Sequence, residues 1–305
     1  MAGIPAIYAD WLGEALPGPV RGEARSTCEA CPLCEGRFRV DVKCCGYVPR
    51  LPNYLVGRVL RAGGRGAETV RARLDARVSV TPLGLGIPPD YAAAWTLVER
   101  TTGFGTDPEL VCPHFDDGRC SIWANREAVC TTWFCRLDRG AVGQAFWLEL
   151  RAFLQLLERV LARHALRQVG IDPSVRPVPW GRFVDDREAL FLATADAVAG
   201  LSWSEVRELG GFELSVRRRA LKAAWLAREH PAPVTEPVVP GVFTASRQEG
   251  RAHLVGWSEY DALDLPDAVL DQLDDPASLP TEVVRALVDH GILVEAHQEA
   301  ASRAP

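Results

Sequence analysis

All nine cysteines of this 305-residue chain lie at or before position 135: Cys28, Cys31, Cys34, Cys44, Cys45, Cys112, Cys120, Cys130 and Cys135. Thiols scattered for packing would not segregate in this way. An odd number cannot pair off completely as a disulfide framework, and disulfides do not persist in a reducing compartment. Clustered thiols of this kind read first as metal ligands. They also constrain the fold: the stretch around them is expected to form loops drawn in by an ion.

The spacing sharpens that reading. In CEACPLC (28–34) two residues separate successive cysteines, which lets neighbouring thiolates turn toward one ion, as in zinc knuckles and iron–sulfur loops. The pair Cys44–Cys45 follows ten residues later. Adjacent side chains diverge, so the two can serve different metals or different irons of one cluster. The downstream group, Cys112, Cys120, Cys130 and Cys135, has 7, 9 and 4 intervening residues. Thiolates repel one another, and a cation makes the grouping tolerable. Nine exceed the four needed by one zinc or one cubane cluster, so two centres, or one centre with spare or redox thiols, are expected. Arg126 and Arg136 can offset negative charge there, and Trp123, Trp133 and Phe134 can exclude water. His114 could replace a thiolate, although a surface or hydrogen-bonding role is commoner for a histidine so placed. The compact first run and the adjacent pair favour an iron–sulfur cluster as cofactor, with zinc as the alternative.

The downstream run CPHFDDGRCSIWANREAVCTTWFC resembles the second half of the YkgJ-type cysteine-cluster family, a zinc- or iron-chelating domain. Cys112, Phe115, Gly118, Cys120, Ser121, Ile122, Trp123, Arg126, Cys130, Phe134 and Cys135 carry the resemblance. The family's first half is commonly C-x-x-C-x-x-C-C, whereas here nine residues separate Cys34 from Cys44. The resemblance covers roughly residues 28–140. It implies a metal site and does not specify a reaction. Flagellin lysine N-methylases carry a related cluster, so the resemblance admits a protein lysine N-methyltransferase. No glycine-rich methyl-donor loop is recognisable, however.

Net charge is −6, which gives no general attraction to nucleic acid. The run Arg217–Arg219 reads as a solvated helix face. No window approaches the roughly 18 apolar residues of a membrane span. The opening MAGIPAIYADWLGEALPG lacks a charged start and a long apolar core. A cytoplasmic protein without nucleic-acid or membrane partners is therefore expected.

Residues 1–27 read as a lead-in, 28–140 as the cysteine-cluster metal-binding region, and 141–230 as a helical part of the same domain. Helical spacing appears from Leu51 to Gly63, over Ala92–Gly103, from Phe146 to before Gly170, and over Arg187–Ala199 and Trp203–Arg228. Val80–Tyr91 reads as a loop, with Asn53 and Tyr54 as structural residues or lining for a pocket. Asp116–Asp117–Gly118 reads as a turn and Asp185–Asp186 as a helix start. HPAPVTEPVVPG, with Pro231, Pro233, Pro237 and Pro240, predicts a stiff linker over 231–240. Beyond it, VFTAS and AHLVGW suggest a hairpin, and DAVLDQL and EVVRALVDHG two short helices. The expected class is mainly α with irregular metal-bound loops, plus a small α+β winged-helix-like domain over 241–297. A peptide or protein partner is expected for that domain.

Overall fold

A computed structural model describes residues 3–31, 33–34, 36–101 and 105–296. The expected helix stop at Gly103 and the tail from His297 onward lie outside the described residues. The protein is mainly helical, with small antiparallel sheets. It divides into two compact units. The first gathers Met1–Gly22, Thr27–Trp133 and Leu150–Leu221, and the second gathers Glu23–Ser26, Phe134–Glu149 and Lys222–Pro305.

The first unit opens with helix α1 (Ala6–Ala15), which buries Tyr8, Trp11, Leu12 and Ala15. That is the i, i+3, i+4, i+7 stripe of an amphipathic helix, so the lead-in supplies core. Strand β1 (Leu51–Pro52) runs into α2 (Asn53–Ala62), and α3 (Gly64–Ala76) follows a break at Gly63. Strands β2 (Val80–Thr81) and β3 (Gly84–Leu85) join β1 in a sheet of order β1-β3-β2, with Leu51 opposite Leu85. The expected loop over 80–91 thus holds two short strands and the start of α4 (Pro89–Thr101). Strands β4 (Phe115–Asp116) and β5 (Arg119–Cys120) form a tight hairpin, followed by α5 (Ala128–Thr132). From α6 (Gly140–Gln168) the part beyond Leu150 belongs here. So do α7 (Arg187–Val198), capped by Asp186, and the first part of α8 (Trp203–Glu229), which is broken at Gly211.

Asn53 and Tyr54 sit at the buried start of α2. The Asn53 amide donates to the carbonyls of Pro82 (3.1 Å) and Ala162 (3.0 Å), and its oxygen accepts from the Tyr54 N–H. It is a structural bracket.

The tightest helix contact is α2 on α7. A Cβ at Gly57 would stand 1.9 Å from the Phe191 carbonyl oxygen and 2.8 Å from Ala195 Cβ. The obstacle is backbone, which cannot swing away. Gly57→Ala is therefore expected to destabilise the protein by about 2–3 kcal/mol through forced helix separation. Gly13→Ala meets nothing within 4 Å and is expected to be neutral or mildly stabilising. Urea melts of both variants check this; equal midpoints would refute it.

The second unit contains β6 (Val238–Pro240), β7 (Thr244–Gln248), β8 (Arg251–Val255) and β9 (Leu263–Pro266), then α9 (Asp267–Leu270), α10 (Thr281–Asp289) and β10 (Leu293–Glu295). The hairpin expected between VFTAS and AHLVGW forms as β7–β8, with β9 on its far side, while β10 pairs with β6. The proline-rich stretch thus ends in a paired strand. Ala252, Leu254, Leu263, Val269, Leu287 and Ile292 make the core.

Ion pairs join this unit's chain segments. Arg228 donates to Glu23 (2.8 Å), with its guanidinium over the rings of Phe146 and Trp147. Arg25 donates to Asp261 (2.7 Å) and Arg139 to Asp289 (2.5 Å).

Candidate metal centre

Eight of the nine cysteines belong to the first unit, and three hydrogen bonds to backbone carbonyls bring their segments together. The Cys112 N–H donates to the Cys45 carbonyl at 2.6 Å. Lys43 Nζ donates to the carbonyls of Cys28 (2.8 Å) and Gly118 (3.2 Å), linking the first cysteine loop to the β4–β5 turn. The Asp116–Asp117–Gly118 turn is thus part of the assembly, with Asp117 (φ 45) and Gly118 (φ 74) both left-handed. Such backbone angles are what a two-residue hairpin turn requires.

Within the upstream group, Cys31 and Cys34 are hydrogen-bonded through their side chains, as are Cys44 and Cys45. Burial, helped by Cys31, pushes the Cys34 thiol up to about 12. Cys44 is raised by its bond to Cys45 and by burial. Downstream, the His114 N–H faces the Cys112 sulfur, yet burial still holds its thiol at about 12; the Phe115 N–H donates to the Cys112 carbonyl at 2.9 Å. The Cys120 sulfur accepts from the Ile122 N–H. Cys130 sits on α5 and is raised by burial and by the nearby Glu127 carboxylate. Backbone N–H groups aimed at sulfur are what hold and tune thiolates at metal centres.

Arg126 is the cation of this neighbourhood. It is buried at 6% exposure, with its guanidinium 3.4 Å over the Trp123 ring. It donates to the carbonyls of Trp123, Cys130 and Gly3. Cys120, Cys130, Cys28 and Cys45 all act on it electrostatically, so one guanidinium is within electrostatic reach of thiols of both groups. Arg136, the other arginine expected here, belongs to the second unit and faces Asp264 at 3.6 Å. Trp123 and Trp133 are each 37% exposed and cover their surroundings only in part. Phe134 packs on Trp147 in the second unit. Cys135 is in that unit too, its sulfur 3.2 Å from the Ser26 hydroxyl.

His114 departs from expectation. It is neither on the surface nor hydrogen-bonded through its ring: exposure is 0%, and neither Nδ1 nor Nε2 has a partner. Burial, and then Arg73, push it down to about 4, so the ring is neutral.

No protein family model, curated protein or solved structure matches the chain.

Among the described residues, no group of three or more His, Cys, Asp or Glu side chains is arranged to hold an ion. Cys31 with Cys34, and Cys44 with Cys45, instead bond within their own pairs. In donor chemistry the set suits a thiophilic metal: clustered sulfurs, N–H donors aimed at them, a buried guanidinium and an orphaned imidazole. Coordination would require side-chain rotation about a backbone already drawn together.

Beneath α5 lies a feature the sequence did not suggest. Glu127 caps the helix through the N–H groups of Val129 and Cys130. Glu158 is buried behind it, accepting from the Tyr8 hydroxyl (2.5 Å) and the Ala128 N–H (2.7 Å). Burial, and then the charge of Glu127, hold Glu158 well above its usual range. A carboxyl raised on folding contributes stability below its unfolded value of 4.5, and that contribution is lost as pH rises through the folded value. Glu158→Gln keeps an oxygen for both donors without titrating. Between about pH 5 and about pH 8 the native chain should lose more stability than Glu158→Gln does. Equal losses in urea melts would sink this assignment.

A cleft of about 830 Å³ lies along α3, lined by Thr69, Arg73, Tyr91 and by Val111 and Pro113 on either side of Cys112.

Proposed function

We propose that this chain is a metal-binding protein whose first unit holds an iron–sulfur centre on cysteine thiolates, serving redox chemistry or the modification of a peptide or protein. The observation that carries the reading is the burial of Arg126 within electrostatic reach of thiols from both cysteine groups. A guanidinium so placed offsets the negative charge of a thiolate-rich centre, and its position over Trp123 leaves it little freedom to move. The resemblance to the YkgJ-type family, carried by Cys112, Gly118, Cys120, Ile122, Arg126 and Cys130, supports the same reading.

When bound, such a centre supplies one-electron chemistry. The chain's own residues would bind it through the nine cysteines as candidate ligands, with Arg126 screening charge and the N–H groups of His114 and Ile122 stabilising sulfur. The second reading is a structural zinc site in an interaction protein. His114 favours it, because a neutral imidazole beside thiolates is an ordinary zinc donor set.

The β7–β8 hairpin, β9 and the short helices of the second unit are read as winged-helix-like, with peptide or protein docking as their task. Among the described residues no helix is long and apolar enough to cross a membrane; we read the chain as cytoplasmic.

The test is purification of the full chain without oxygen, a visible spectrum, and counts of iron, zinc and acid-labile sulfide. Broad visible absorption with iron and sulfide is expected. A colourless protein with stoichiometric zinc and no sulfide would overturn the iron–sulfur reading in favour of the second.

A further inference from the structure

We propose that Cys31 and Cys34 form a thiol–disulfide couple, which closes to a disulfide and reopens by exchange with a small-molecule disulfide of the glutathione class. The couple goes beyond the metal-centre reading and does not rest on it.

Backbone geometry sets this pair apart. The Cys34 N–H donates to the Cys31 carbonyl at 3.2 Å, so residues 31–34 close an i to i+3 turn. Such a turn holds its end Cα atoms within about 7 Å, and a disulfide spans about 4.4–6.8 Å between Cα atoms. The two side chains already meet in a hydrogen bond. Leu33 pins the turn from between them. Its side chain is buried, and its carbonyl accepts from the N–H groups of Arg37 (3.0 Å) and Phe38 (2.8 Å). Cys31 and Cys34 are themselves half-buried, so a small reagent can reach their sulfurs.

Other pairs are worse placed. Cys28 also stands three positions from Cys31, but its carbonyl is taken by Lys43 Nζ at 2.8 Å. Among the described residues no turn bond closes that step. Cys44 and Cys45 bond to each other, yet adjacent Cα atoms are only about 3.8 Å apart, short of what a relaxed disulfide needs. Cys112 is buried.

The turn also assigns the roles. The Cys34 sulfur donates to the Arg39 carbonyl at 3.9 Å, which marks Cys34 as the partner that keeps its proton. Cys31 is the attacking sulfur. As a thiolate it attacks one sulfur of the small disulfide, whose S–S bond breaks. The first small thiolate leaves and takes up the proton that Cys31 gave. The Cys34 sulfur then displaces the second small thiolate from Cys31 and passes its own proton to it. Two cysteine thiols thus lose two electrons and two protons, and one small disulfide becomes two thiols. Losing the Cys34 S–H strands nothing, because the Arg39 carbonyl keeps the N–H groups of Val42 (3.1 Å) and Lys43 (2.7 Å). In a reducing compartment, transient exchange of this kind is the ordinary use of a disulfide.

The experiment equilibrates the full chain, purified without oxygen, in mixtures of reduced and oxidised glutathione. Acid quenching, thiol tagging and peptide mass mapping then locate every link. With reduced glutathione all nine thiols should take a tag. As oxidised glutathione comes to dominate, two tags should be lost first, with the link at Cys31–Cys34. Cys34→Ser should trap glutathione on Cys31 as a mixed disulfide that the native chain resolves, and Cys31→Ser should lose the link. Retention of every tag in oxidised glutathione would overturn the couple. So would a first link elsewhere, such as Cys44–Cys45. Glutathione trapped on Cys34 in Cys31→Ser, with none on Cys31 in Cys34→Ser, would overturn the assignment of roles. The native map decides even if a serine variant fails to fold. None of these readouts counts iron or zinc, so failure here leaves the metal-centre reading standing, and a metal-free chain that forms the link leaves the couple standing.

Discussion

Cys130→Ala and Cys120→Ala are each expected to strip the protein of its metal and of much of its solubility. The effect is large because metal binding free energy is folding free energy where loops have little other reason to close. The 27–46 segment consists of turns, without a helix or strand among its described residues. Cys130 makes the cleaner experiment. The α5 cap uses the backbone N–H of residue 130 and the Glu127 carboxylate, so alanine leaves the helix start intact and removes only sulfur. Metal per chain, counted after anaerobic purification, is expected to fall to background in both variants. Full metal content in both would refute the ligand assignment.

Arg228→Ala should cost about 3–5 kcal/mol, the usual consequence of stranding a buried charge. Glu23 is left fully buried within the second unit, still accepting from the Trp147 indole N–H and the Asp138 N–H. Alanine also removes the cation over the Phe146 and Trp147 rings. The double variant Glu23→Gln, Arg228→Met removes both charges and preserves volume, so it should recover most of the loss. Thermal denaturation of the single and double variants separates the two cases. A single variant within about 1 kcal/mol of native would show that the pair is not the brace it is argued to be.

The long helices were legible because their apolar spacing is clean: Phe146, Leu150, Phe153, Leu154, Leu157 and Leu161 trace one face of α6, and all are buried. The β7–β8 hairpin was legible from its alternation and its Glu249–Gly250 turn. α3 was not, because Gly63, Gly64 and Gly66 hide a helix whose Ala67, Val70 and Leu74 still keep helical spacing. α1 was missed for a similar reason, with prolines and glycines on both sides of a short amphipathic run. In the site, the cysteines and Arg126 could be named from spacing and charge. Arg136 faces Asp264 instead, because the chain enters the other unit at Phe134, ahead of Cys135, and sequence proximity to a cysteine says nothing of that. His114 is fully buried near Arg73 of α3, and Glu158 meets Tyr8 across 150 positions. Neither leaves a local pattern.

The ion pairs between segments of the second unit have a consequence for how the protein is made. They join Glu23–Ser26 and Phe134–Glu149 to residues beyond Lys222, and β6 finds its partner only at Leu293–Glu295. On the ribosome, every segment of the first unit has been synthesised by Leu221. Glu23, Arg25 and Arg139 must wait, charged and solvated, for partners made many residues later. The cysteine-bearing unit is thus free to gather its ligands while the second unit is still in pieces, and a chain truncated before β10 would carry that first unit with the second left unclosed.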